Sequence, residues 1–115
     1  MTKHVGLDLV NVCLGNLPLK LNIAPERLTA ICERNDVAYL AVFGSYARGD
    51  FTPKSDVDLL VRFSTSKSLL DLVRIEREFA RFLRKRVDLV TVDSVSPYLK
   101  ERIFGEARCL YEKPG

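Results

Sequence analysis

Seven consecutive apolar residues, Val37 to Phe43, stop abruptly at Gly44. The run is far too short for a membrane helix, which needs about 20 apolar residues. It is rich in strand formers and shows no polar alternation, so it reads as a central strand buried on both faces. Such a strand cannot stand alone. The rest of the chain must supply further strands beside it and helices to cover it, and the pattern on either side does so.

Upstream, Pro25 suits a first helical turn, Glu26 suits the positive end of a helix, and Leu28, Ile31 and Cys32 share a face. Asn35-Asp36 ends that helix. Downstream, Val57 to Phe63 reads as a second strand, with Val57, Leu59, Val61 and Phe63 on one face and Asp56, Asp58, Leu60 and Arg62 on the other. Ser68 is an N-cap for a helix whose apolar residues (Leu69, Leu72, Val73, Phe79, Ala80, Leu83) recur at helical spacing up to Arg86. Val87 to Val92 is a third strand. A short helix after Pro97 carries Tyr98, Leu99, Ile103 and Phe104 and stops at Gly105, and Ala107 to Tyr111 forms a last strand. Tyr46 and Tyr98 either complete the rim of the core, the commoner place for such aromatics, or offer a face to a base or a partner, and both are left unassigned. The order helix, strand, strand, helix, strand, helix, strand predicts an α/β fold, a mixed β-sheet with flanking helices. At 115 residues, 47% hydrophobic and 29% charged, the chain suits one packed domain. Residues 1–23 are set apart as an N-terminal extension.

Several function classes fall away on composition. A net charge of +3, with acidic residues interspersed among basic ones, gives no bulk signal for direct nucleic-acid binding. Three widely spaced cysteines without a Cys-x-x-Cys pair argue against a disulfide framework or a zinc site and suit a reducing cytoplasm. The single histidine, His4, lies too near the N-terminus to anchor a triad. No membrane span is expected.

The chemistry concentrates in Gly44-Ser45-Tyr46-Ala47-Arg48-Gly49-Asp50 and Ser55-Asp56-Val57-Asp58. A strand ending in Gly-Ser and turning into a short helix presents backbone N–H groups and a hydroxyl where a phosphate is favoured. Gly44 lets that phosphate approach closely, and Arg48 braces the loop, touches phosphate or is simply solvated. Asp56 and Asp58, two apart on a strand, project from one face and can hold divalent cations. Asp88 repeats the pattern on the third strand. If those strands are neighbours, three carboxylates converge, although Asp88 could instead pair with Arg84-Lys85-Arg86.

Gly44-Ser45, ten intervening residues and Asp56-x-Asp58 resemble the signature of the nucleotidyltransferase fold of the DNA polymerase beta superfamily, with Asp88 at the place of its later strand aspartate. From about Pro25 to Tyr111 the chain looks like the minimal nucleotidyltransferases, so residues 24–115 are read as that domain. The resemblance implies ATP as substrate, two Mg²⁺ ions on Asp56, Asp58 and Asp88, and a triphosphate on Gly44, Ser45 and Arg48. It also implies a HEPN-domain ribonuclease toxin as partner, to which characterised members transfer AMP on tyrosine as antitoxins, with homo- or hetero-oligomerisation left open. Neutralisation by binding alone and transfer to a small-molecule hydroxyl are the competing readings.

Overall fold

The computed structural model describes residues 23–113, so the extension assigned to 1–23 lies outside it save for Ile23. Helix α1 (Pro25–Arg34) leads into strand β1 (Val37–Phe43), the one-turn helix α2 (Ser45–Arg48) and strand β2 (Val57–Phe63). Helix α3 (Leu69–Leu83), strand β3 (Val87–Thr91), a 3₁₀ turn (Val92–Ser94), helix α4 (Pro97–Glu106) and strand β4 (Arg108–Glu112) complete the order. The four strands form one sheet in the order β3-β2-β1-β4. The β1 strand pairs antiparallel with both β2 and β4, and β2 pairs parallel with β3. The α/β expectation therefore holds, with parallel and antiparallel pairs in one sheet.

Local chemistry explains the element ends. Ser68 and Asp71 form a reciprocal capping box, each side chain accepting the other's backbone N–H at 3.1 Å. Arg84 closes α3 in the left-handed conformation, earlier than the expected end at Arg86, and this frees Lys85 and Arg86 to lead into β3. Strand β3 gives way to the 3₁₀ turn at Val92. Gly105 does not stop α4, which runs one residue further to Glu106, and the last strand is shifted by a residue to Arg108–Glu112.

Strand β1 is covered on both faces. On one side Leu40 and Val42 join Leu59, Val61, Leu110 and the α1 and α3 residues Leu28, Ile31, Ile75 and Phe79 in the main core. On the other, Ala41 and Leu60 meet Val95, with Val90 and Ile103 packed around them. The alternation of β2 follows the expected faces, so Asp58 shares the α4 side with Leu60. Tyr46 is buried and stacked on Phe51 with ring centroids 4.4 Å apart. Tyr98, by contrast, is 95% exposed and takes no part in the core rim, because α4 turns its Ile103 face and not its first turn to the sheet.

Asn35 is the one buried polar residue among the described positions. Its Nδ2 donates to the Ile31 carbonyl (2.8 Å) and to Glu78 Oε1 (3.0 Å), while Oδ1 accepts from Arg74 Nη1 (3.2 Å). Glu78 also takes Arg34, so one cluster ties the end of α1 to the middle of α3. Asn35→Ala removes the side-chain hydrogen bonds that join α1 to α3 and leaves a gap at a buried position, and is expected to cost roughly 1–3 kcal/mol. Thermal unfolding checks this: the melting temperature should drop by about 5 °C or more, and an unchanged value would contradict the role given to Asn35.

Candidate active site

The end of β1, the one-turn α2 and the first residues of β2 and β3 meet at one edge of the α4 side of the sheet. Gly44 is the pivot. Its φ of 73° and ψ of −150° lie in a region that side-chain-bearing residues avoid. A Cβ built there would stand 2.2 Å from Asp58 Oδ2, so the aspartate lies directly against the glycine backbone. The strand register explains this contact, because Phe43 pairs with Asp58 across β1 and β2.

The parallel register sets Asp58 opposite Asp88, the neighbour relation that the sequence left conditional. Burial, followed by the charges of Asp88 and Asp56, pushes the Asp58 carboxyl above its usual range, with Arg48 opposing. Asp56 lies just before β2 and is held by Arg86 Nε at 3.0 Å, while Arg86 Nη2 donates to the Lys54 carbonyl at 3.4 Å. The arginine offered as a partner for Asp88 thus serves Asp56, and Asp88 is exposed at the start of β3. Among the described residues, no three His, Cys, Asp or Glu side chains are already grouped to hold a metal ion. The donor set nevertheless suits one. Asp56, Asp58 and Asp88 offer only hard oxygen ligands, and a divalent cation would relieve the like-charge crowding at Asp58.

Helix α2 has four residues, so its dipole is small, and an anion at this turn would meet its N–H groups and the Ser45 hydroxyl. Tyr46 and Ala47 anchor it in the core. Arg48 is engaged by two carboxylates: its Nε reaches Asp50 Oδ2 and its Nη1 reaches both oxygens of Glu106, all at 3.3 Å. Glu106 Oε1 also accepts the Gly44 backbone N–H at 3.0 Å. Glu106 was not a candidate from sequence. It follows the glycine taken as a helix stop and lies 62 residues from Gly44; its one local signal is an acidic side chain in a last helical turn, where the helix dipole disfavours it.

A glycine turn and strand carboxylates on a mixed four-stranded sheet define a nucleotidyltransferase. Residues 26–114 match the family model described as polymerase beta, nucleotidyltransferase, and the chain belongs to that family. It is 42% identical over 89 residues to a Methanocaldococcus jannaschii chain assigned as a protein adenylyltransferase, covering 77% of this chain and 96% of the relative. A solved structure described as a minimal nucleotidyltransferase is 37% identical, with a TM-score of 0.64 over 72% of this chain and 85% of that one. The crystal structure of a toxin–antitoxin with AMP-PNP shares the fold at 22% identity, with a TM-score of 0.66 over 76% and 73% of the two chains. Among the described residues no helix is long and apolar enough to cross a membrane.

Proposed function

We propose that this chain is a Mg²⁺-dependent protein adenylyltransferase that moves AMP from ATP to a hydroxyl, tyrosine by resemblance, of a HEPN-domain toxin and so acts as its antitoxin in the cytoplasm. The reading is carried by the contact between the Gly44 turn and Asp58, with Asp88 in register beside it, in a chain of the nucleotidyltransferase family. The adenylyltransferase relative and the fold shared with a toxin–antitoxin complex support it.

In this reading the triphosphate lies against the Gly44–Ser45 step, bonded by the Ser45 N–H and hydroxyl because the Gly44 N–H is taken by Glu106, and Arg48 is a nearby cation held at the end of the same turn. Asp56, Asp58 and Asp88 would hold two Mg²⁺ ions, which when bound neutralise the triphosphate and the crowded carboxylates. Arg86 takes Asp56 Oδ1, which leaves the other carboxylate oxygen for an ion. The acceptor oxygen attacks the α-phosphorus, an O–P bond forms, the bond to the bridging oxygen breaks and pyrophosphate leaves. Asp88, exposed at the head of β3, orients the attacking hydroxyl and accepts its proton.

The test is incubation of the protein with its toxin partner, ATP and Mg²⁺, read by intact mass. A gain of AMP units on the partner, absent when EDTA is added, is the expected result. Unchanged masses in the presence of a stable complex would overturn the transfer reaction in favour of neutralisation by binding.

A further inference from the structure

We infer that Glu106 is a positioning residue for the triphosphate-binding turn, acting through Gly44 and Arg48; this rests on the assignment of that turn to the nucleotide. One carboxylate ties both ends of the turn. Its Oε1 accepts the Gly44 N–H, and both oxygens stand 3.3 Å from Arg48 Nη1, with Ser45 between the two anchored residues. A single helical turn does not sustain itself, because fixing its dihedrals outweighs the few hydrogen bonds it makes. Burial of Tyr46 and Ala47 fixes the inner side of α2. The orientation of its outer side, where Ser45 is half-buried, depends on what holds residues 44 and 48.

Glu106 is poorly placed for any local purpose. It ends α4, where a negative side chain meets the negative end of the helix, and the last turn holds no basic residue. The residue before it, Gly105, is a weak helix former, and a Cβ there would meet nothing within 4 Å. Its side chain is only 18% exposed, and its charge adds to the acid crowding at Asp58. Neither α4 nor the acidic edge gains from a carboxylate here, whereas the Gly44 N–H and the Arg48 guanidinium both do. The tie also runs across the fold, so the last turn of α4 sets the geometry of the turn after β1.

The experiment compares Glu106→Ala and Glu106→Gln with the wild type by calorimetric titration of AMP-PNP in Mg²⁺ buffer, steady-state transfer to the toxin, and amide exchange at Gly44. Glu106→Ala is expected to weaken AMP-PNP binding and raise the KM for ATP by about tenfold, leave kcat within about threefold, and speed exchange of the Gly44 amide. Glu106→Gln keeps an acceptor for that amide but loses the charge facing Arg48, so it should restore slow exchange and recover part of the affinity. Should the alanine variant not fold, the glutamine variant alone still has to show an affinity between wild type and a tenfold loss. Wild-type affinity in both variants overturns the inference while leaving the proposed function standing. Tighter binding overturns it as well, because Glu106 would then compete with the phosphates. If the wild-type protein does not bind AMP-PNP at all, the assignment of the turn falls first and this inference with it.

Discussion

Asp58→Asn is expected to lower AMP transfer to the toxin by about three orders of magnitude, roughly 4 kcal/mol of transition-state stabilisation, in a protein that still folds. Asparagine preserves the volume beside Gly44 but removes one of the two carboxylates aligned across β2 and β3. Stability should not suffer. The Asp58 carboxyl titrates above its ordinary value because burial and then Asp88 and Asp56 oppose its charge. A carboxyl whose folded value is raised binds its proton more readily in the folded state, so its ionised form costs stability at neutral pH. That cost disappears as pH falls through the folded value towards the unfolded one. The asparagine variant should therefore melt at or above the wild-type temperature at pH 7, with the difference narrowing on acidification. Intact-mass kinetics decide the catalytic half: a folded variant keeping more than about a tenth of the wild-type rate would remove Asp58 from the proposed machinery. If the inactive variant still neutralises the toxin in cells, binding and not modification is the antitoxin activity.

The sequence revealed this site unevenly, for physical reasons. Residues 37–43 and 57–63 were readable as strands because sheet burial imposes its pattern within a few residues, and Asp58 stood out because a carboxylate inside such a pattern is costly without a purpose. The pairing of Asp58 with Asp88 needed the parallel β2/β3 register, a property of two segments separated by α3, which local patterning does not encode. Asp56 and Arg86 show the same limit: Arg86 was visible as a cation near Asp88, but pairing across the sheet gives it to Asp56. Glu106 was hidden more deeply, because Gly105 carries a strong helix-stop signal that packing of Ile103 against the sheet overrides. The exposure of Tyr98 is set by which face of α4 meets the sheet, which the residue itself does not encode.

Gly44→Ala is the second substitution with a large expected effect, and two separate causes contribute to it. At φ 73° and ψ −150° the backbone occupies a region essentially reserved for glycine, where an alanine costs on the order of 1–3 kcal/mol. Its Cβ would also fall 2.2 Å from Asp58 Oδ2, inside any tolerable contact, and 3.1 Å from Cγ, which is tight. The carboxylate is the end of a side chain and can rotate away, which limits the steric cost but moves the group away from the Gly44 turn. Transfer should consequently be lost by about a hundredfold or more, together with roughly 2–4 kcal/mol of stability measured from the urea midpoint. The two causes separate in a double-mutant cycle with Asp58→Ala, which removes the clashing atoms and leaves only the backbone strain. Gly44→Ala should then cost about 1 kcal/mol less than in the wild-type background. Equal costs in both backgrounds would mean that Asp58 does not approach Gly44 closely in solution, and the geometry on which the proposed nucleotide site rests would have to be redrawn.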